Sequence, residues 1–332
     1  MTGTPIVISG IGRRSPELPV IGDEFRALDF ETRRDLGKKG TRNLDRLTAL
    51  AIDSMSEIVP ALNGQVTDEA GRIGLVVGTA QGSMDSIVRF TQETLAYDRP
   101  DYINPALFPN TVMNCAAGQA AIWYGLKGPN ATISCSELSA LSAIKYAITL
   151  LRKESADTII AGGVEEVSEV NEAANRAIAR RRNTAPNFTE ASVFFVLERA
   201  DIAAAHGREI LGSVAALETG FNPLDDDHGP FAALIARALE TADLEPDDID
   251  CISIAGSWDE TRSLEMAAID VCFENVPEIM DCFQSFGNGV SGHNALQLAQ
   301  MLDRLEPGAH GLVMAHDRRG NMAAMVVTRG AA

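Results

Sequence analysis

Residues 109–144 read PNTVMNCAAGQAAIWYGLKGPNATISCSELSALSAI, and residues 156–166 read ADTIIAGGVEE. Leu138, Leu141, Ile144, Ile148 and Leu151 recur at helical spacing, which gives a long helix one apolar face. Residues 158–161 are a short apolar run closed by Gly162 and Gly163, the pattern of a strand that ends in a turn. Ahead of the helix, Val112, Met113, Cys115, Ala116, Ala117, Ala120 and Ala121 are small or soft side chains. A helix face of that kind lets another backbone approach closely, and Met adapts to irregular space.

Outward from this stretch, strand-like and helix-like periods alternate, which predicts α/β layering. Residues 4–11 are a β-branched run closed by Gly10 and Gly12. Leu44, Leu47, Leu50, Met55 and Ile58 follow at helical spacing, then an apolar strand over 72–77 ending in GTAQGS, and later a strand over 192–197. The same order then repeats, with a strand over 212–217, a helix over 231–242, the polar turn EPDDID, a strand over 251–254 and AGSWDE. A helix over 294–305 and strands over 312–315 and 322–328 complete it. RIGLVVGTAQGS echoes DCISIAGSWDE, and ADTIIAGGVEE echoes AHGLVMAHDRR. Matching elements at matching intervals predict two halves packed as one unit, residues 1–203 and 204–332, with the seam between Arg199 and Arg208. The strands read as apolar throughout rather than alternating, as sheets covered on both faces require.

The chain has 332 residues, 45% of them hydrophobic and 22% charged, which excludes wholesale disorder. Its formal charge of −18 argues against nucleic acid or an anionic membrane as partner. No apolar run reaches the roughly eighteen residues of a membrane span. The opening MTGTPIVISGIGRR has no basic segment before its apolar stretch and reads as a first strand rather than a signal peptide. The five cysteines form no CxxC pair and no metal-like spacing, so reduced thiols, no metal, no cofactor and a cytoplasmic location are expected.

The run NTVMNCAAGQAAIWYGLKGPN, with ADTIIAGGVEE behind it, resembles a β-ketoacyl synthase of the thiolase-like superfamily. Weaker similarity extends to the opening VISGIG, the AGSWDE turn, FGNGVSGHNALQLA and the closing RRGNMAAMVVTR. The resemblance implies two pseudo-symmetric halves in an α/β/α/β/α arrangement. The chain is shorter than a typical synthase, clipped before Asp29 and reduced in its second half.

The resemblance also implies a three-residue site. In condensing members a Cys opens the helix after the GPN strand, where the helix dipole lowers the thiol pKa and the sulfur accepts an acyl group. Two His residues, one in an xHGT turn and one in a later GH motif, stabilise the enolate formed by decarboxylation. Counted from Gly128-Pro129-Asn130, the nucleophile position falls on Glu137, a carboxylate that forms no thioester. An acidic side chain in a first helical turn, with Ser134 or Ser136 as cap, is the plain structural reading of that residue. The first His position is Ala255. The second is Asn288 if Phe286-Gly287 marks the motif, or His293 if Gly292-His293 does; GVSG favours Asn288. Gln284 is nearest to the Lys that usually precedes the motif, and the glycine-rich gate falls on Asp317-Arg318-Arg319-Gly320-Asn321. Cys135, two residues before Glu137, reads as a buried structural thiol.

This pattern of loss resembles the chain-length factors of bacterial type II polyketide systems. It implies a heterodimer with an active ketosynthase, in which this subunit shapes the acyl tunnel and meets an acyl carrier protein through the complex. The segment around Val112, Met113, Cys115 and Ala116 would then lie at the interface and tunnel, with Val112 and Met113 as chain-length gates. Arg180, Arg181 and Arg182, the densest basic cluster, are a candidate contact for the carrier or partner, or else a solvated helix end. The alternative is a stand-alone decarboxylase or acyltransferase of malonyl- or acyl-carrier substrates that uses Glu137.

Overall fold

A computed structural model describes residues 4–16, 27–62, 64–182, 187–222 and 227–331. Among the described residues, ten strands form one sheet. They are β1 (Ile6–Arg14), β2 (Ile73–Gly78), β3 (Asn130–Ile133), β4 (Thr158–Glu165), β5 (Ala191–Arg199), β6 (Gly212–Phe221), β7 (Cys251–Ile254), β8 (Glu278–Asp281), β9 (His310–His316) and β10 (Asn321–Arg329). The spatial order is β3-β2-β4-β5-β1-β6-β10-β9-β7-β8. Exchanging β1–β5 for β6–β10 reverses that order onto itself, so an approximate twofold axis passes between β1 and β6. Parallel pairs (β2 with β3 and β4; β7 with β8 and β9) occupy matching places, as do antiparallel β5 and β10. Both echoes in the sequence fall on equivalent strands, β2 with β7 and β4 with β9. Within the sheet, the halves join through three residue pairs of β1 and β6, Ile6↔Val214, Val7↔Ser213 and Ile8↔Gly212.

Alternation along the strands builds three apolar layers. In β4, Ile159 and Ala161 face the middle layer, while Ile160 and Val164 face an outer one. The middle layer holds the Ser139–Arg152 and His293–Arg304 helices, through Leu141, Ile144, Leu296 and Leu298. One outer layer carries the Arg46–Met55 and Cys115–Tyr124 helices, and the other the Gly229–Ala242 and Asp259–Cys272 helices. The α/β/α/β/α arrangement expected from the sequence is therefore present. Local chemistry sets the ends: the Asp45 carboxylate accepts from Thr48 N at 2.7 Å to start one helix, and Gly125 closes another at φ +70°.

Two expectations need correction, and several further elements are present. The central strands are apolar on both faces, but β6 alternates, and β3 and β8 are only half covered because they are edges. β4 does not stop at Gly162-Gly163 but runs through them to Glu165. The glycines allow close approach there: a Cβ on Gly163 would overlap the Ser291 carbonyl oxygen and lie 2.8 Å from Ala140 Cβ. The helices Glu169–Arg182 and Asp259–Cys272 and the short strand β8 carry too little apolar periodicity to stand out, whereas Met84–Ala96 is amphipathic but leaves most of its residues partly exposed.

Candidate functional site

β3 leads into the turn before the central helix, and that turn presents Glu137. Ser136 takes φ +51°, a costly conformation for a residue with a side chain. The helix starts at Ser139, not at Glu137, with Leu138 at the cap position and no side-chain cap. Ser139 Oγ instead ties the turn, accepting from Cys135 N at 3.0 Å and donating to Ser136 O at 2.6 Å. Neither Ser134 nor Ser136 caps the helix, because Glu137 lies outside the first turn.

Glu137 points into a cleft of about 490 Å³, lined by Ala80, Gln81, Ser134, Cys135, Ser136, Asn175, Ile178, Phe188, Trp258, Val290, Arg318, Arg319 and Asn321. Its Oε1 accepts from Trp258 Nε1 at 2.7 Å and more weakly from Asn288 Nδ2 at 3.4 Å. Burial of the carboxyl pushes its pKa up, against the pull of those two donors; Asp317 adds to the rise, and Arg318 opposes it.

Asn288 is fixed on every side. Its Oδ1 accepts from Val290 N at 2.8 Å, its backbone N–H donates to Asn187 O at 2.9 Å, and its carbonyl accepts from Thr189 N at 2.9 Å. Val290, a β-branched residue at φ +48°, forms the turn behind it. Of the two residues weighed for the second His position, Asn288 is the one beside Glu137. His293 is fully buried elsewhere, donating from Nε2 to Ala255 O at 2.7 Å and accepting from Gly289 N at Nδ1 at 3.4 Å. Burial lowers its pKa to about 4, so it stays neutral. Cys282 lies 3.9 Å from His293 Nδ1, and burial pushes that thiol far above the usual range.

Ala255 is buried at the end of β7, and its methyl does not line the cleft. Three residues on, Trp258 occupies the space. The indole edge bonds Glu137, its face carries the Arg318 guanidinium 3.7 Å from the ring centroid, and Phe188 meets it edge-on at 6.0 Å. Sequence reasoning did not single out Trp258; one of only two tryptophans, placed in the turn that should carry a His, is the available signal.

The expected gate is the β9–β10 turn. Asp317 Oδ1 accepts from Arg319 N and Asn321 N, both at 2.9 Å, and Oδ2 accepts from Asn321 Nδ2 at 2.8 Å. Gly320 at φ +90° packs against the Asn222 carbonyl. The turn is thereby braced by its own acid. Gln284 is exposed on the Cys282–Phe286 helix, outside the cleft lining. Cys135, expected as a buried structural thiol, is half-buried and lines the cleft, because the chain turns there rather than continuing as a strand.

None of Val112, Met113, Cys115 and Ala116 lines this cleft. Val112 is 45% exposed, while Met113 is half-buried against Gly82. Cys115 donates to Asn110 Oδ1 at 3.3 Å, and burial raises its thiol to about 11. Ala116, with Ala117 and Ala120, faces inward and packs in the outer-layer core. Arg180 and Arg181 are exposed on the last turn of the Glu169–Arg182 helix, which also sends Asn175 and Ile178 to the cleft. The Arg182 side chain lies outside the described residues. Among the described residues, no group of three or more His, Cys, Asp or Glu could hold a metal ion, and no helix is long and apolar enough to cross a membrane.

Two buried acids stand at the end of β4, one of them behind the cleft. Glu165 accepts from Ser291 Oγ at 2.6 Å, Ala80 N at 2.9 Å and Gln81 N at 3.1 Å, which ties both halves together behind the cleft. Glu166 accepts from Leu47 N at 3.0 Å, and burial followed by the charge of Asp45 raises it to about 8. The folded state therefore holds a proton that the unfolded chain releases near the ordinary Glu value of about 4.3. Stability from this group is complete below that value and drains away as pH rises towards about 8, at up to about 1.4 kcal/mol per pH unit. His293 adds no slope above about pH 6.5, its unfolded value. A thermal midpoint that falls between about pH 6.5 and about pH 8 is expected, with a shallower slope in Glu166→Gln. An equal slope in both proteins would remove this assignment.

Comparison with known proteins agrees with the architecture. The family model for the N-terminal domain of β-ketoacyl synthases matches residues 21–192, more than half of the chain. The 3-oxoacyl-[acyl-carrier-protein] synthase 2 of Vibrio harveyi is 28% identical over 141 residues, covering 42% of this chain and 34% of that protein. The protein of the same name from Synechocystis sp. is 26% identical over 270 residues, covering 72% and 64%. The chain thus matches between a third and just under two thirds of these relatives' lengths. A solved structure described as the ishigamide ketosynthase/chain length factor superposes at TM-score 0.84 with 25% identity, covering 99% of this chain and 100% of that one. A β-ketoacyl synthase from Burkholderia phymatum superposes at TM-score 0.83 with 17% identity, covering 98% and 100%, a likeness of fold alone. With this five-layer fold and a family model across more than half its length, the chain belongs to the β-ketoacyl synthase family, with a thiolase-like fold.

Proposed function

We propose that this chain is a non-condensing subunit, a chain-length factor that pairs with an active ketosynthase and shapes the tunnel in which an acyl chain grows. The observation that carries the reading is the state of Glu137. Where the family's acyl-accepting thiol is expected, a carboxyl is held by an indole and an amide, and no histidine is among the described residues lining its cleft. Cys135 offers a thiol in the cleft without an imidazole to activate it. The likeness to a structure described as a ketosynthase/chain length factor supports the same reading. So does the surface around the Cys115–Tyr124 helix. Phe108, Val112 and Ile122 are exposed at 58%, 45% and 76%, a Cβ on Gly118 would meet nothing, and β3 pairs on one edge only. An apolar, small-residue face beside a free strand edge suits a protein partner. Division into halves at 203/204 belongs to this reading, as does contact of Arg180, Arg181 and Arg182 with an acyl carrier protein.

Native mass spectrometry of the chain, alone and co-expressed with candidate ketosynthases, tests the proposal. A one-to-one complex with no acyl adduct on this chain is expected; a homodimer that ignores every ketosynthase overturns it. In the active complex, Met113→Phe or Val112→Phe is expected to shorten the product, and an unchanged product distribution in both variants would remove these residues as gates. A second reading is favoured by one observation: burial holds the Glu137 carboxyl towards its protonated form, as a general acid needs. Turnover of malonyl or acyl thioesters by the isolated chain, lost in Glu137→Gln, would select it.

A further inference from the structure

A groove of about 640 Å³ runs between the Gly229–Ala242 and Asp259–Cys272 helices, in the outer layer of the second half. Ala232 and Leu239 form its floor and belong to the core of that layer. Ala233 and Ala236 stand exposed on one bank, and Val271 and Cys272 line the other. Residues 232, 236, 239 and 243 follow one another at helical spacing, so the groove extends along about three turns, roughly 16 Å. Alanines on the bank let another helix approach closely. Val271 is 62% exposed, and Val276, on the segment that follows, is 45% exposed. Glu240, Asp243, Glu245 and Asp248 are exposed along the rim. Their sign is shared by the whole segment: residues 238–282 hold thirteen Asp and Glu and a single base, Arg262, which bonds Asp281. Two thirds of the chain's formal charge of −18 therefore falls on this segment. Arg237, the base on the first of the two helices, turns away to Glu218 of β6 at 3.6 Å.

We propose that this groove docks a cationic amphipathic helix of a partner protein, with its apolar side chains in the trough and its Lys and Arg side chains on the acidic rim. An apolar trough between two helices selects the amphipathic helix, and the rim selects its charge. An acidic protein, a second copy of this chain included, would be repelled. The groove lies in the other half from the face that carries Phe108 and Ile122, so docking here requires no heterodimer and is compatible with one.

Fluorescence anisotropy with labelled model peptides tests it, on the full chain together with any ketosynthase that co-purifies. The probe is a helix of about fifteen residues with Leu at i, i+3, i+4 and i+7 and Lys between them. One control keeps that composition but spreads the Leu around the helix, and a second replaces Lys by Glu. The striped basic probe is expected to bind once per copy of this chain, at least about tenfold tighter than either control and more weakly as salt rises. Ala236→Arg puts a long cation in the trough and is expected to weaken binding about tenfold or more. Glu240→Gln combined with Asp243→Asn should weaken it several-fold and flatten the salt dependence. All three positions are exposed, and Asn tolerates the φ of +58° at Asp243, so folded variants are expected. Alkylation of Cys272, read by peptide mass mapping, should slow when the probe is bound. No binding by the striped probe, equal binding by the scattered-Leu control, or parental affinity in Ala236→Arg overturns the proposal. So does protection of Cys272 that grows with protein concentration and disappears in Ala236→Arg, which would make a second copy the occupant. Native mass spectra of the same samples separate this groove from the ketosynthase face. A heterodimer that ignores the probe sinks only the docking proposal, and a chain that binds the probe but no ketosynthase sinks only the subunit reading.

Discussion

Replacing Arg46 with Ala is expected to cost about 3–5 kcal/mol of stability, the loss typical when one member of a buried ion pair is removed. Glu190 is fully buried, and Arg46 holds it with two bonds, Nε to Oε1 and Nη2 to Oε2, both at 2.6 Å. The same guanidinium reaches the carbonyls of Phe30 at 2.9 Å and Leu28 at 2.8 Å. Glu190 also accepts from Leu28 N and Val167 N, so it joins three separate segments of the first half. Without the arginine, a carboxylate would stay in the interior without its countercharge. Chemical denaturation reads the effect as a lower midpoint. Adding Glu190→Gln should recover part of the loss, because an uncharged amide is less costly to bury unpaired. A single variant within about 1 kcal/mol of the parent would mean that water or rearrangement compensates Glu190.

Gly163→Ala is expected to be comparably harmful, at about 3 kcal/mol or more, and to disturb the cleft as well. The added methyl would overlap the Ser291 carbonyl and press on Ala140 of the central helix. Ser291 cannot retreat freely, since its hydroxyl donates to Glu165 Oε2 at 2.6 Å and contacts Val164 O at 3.0 Å. Any shift passes along the turn to Val290 and Asn288, and so to Glu137. Trp258 emission should therefore change together with the denaturation midpoint. A fully stable variant with parental emission would show that the turn is looser than its hydrogen bonds suggest.

Much of the fold was legible because both faces of the central strands are apolar, and because the two halves repeat their elements in order. Edge strands and polar helices were harder to read. The Glu169–Arg182 helix buries few residues, so hydrophobic periodicity carries little signal there. Gly162-Gly163 was read as a strand end, since glycine breaks local structure as readily as it permits close packing, and only the position of Ser291 distinguishes the two uses. At the site, the positions of Glu137 and Asn288 could be counted from neighbouring motifs. The Trp258–Arg318 stack could not, because its residues lie sixty positions apart and meet only when β7 and β9 pair in the sheet. The missing helix cap has a similar origin, since the turn at Ser136 takes a left-handed conformation that serine seldom signals.

The chain carries two tryptophans. Trp123 is half-buried in the Cys115–Tyr124 helix and packs against the outer-layer core, while Trp258 stands in the cleft under a guanidinium. Nature has therefore supplied two optical reporters at different addresses. With Trp123→Phe, ultraviolet emission follows the cleft alone, and with Trp258→Phe it follows the Cys115–Tyr124 helix. Changes at that helix and at the cleft can then be timed separately in one stopped-flow instrument, without attaching a dye.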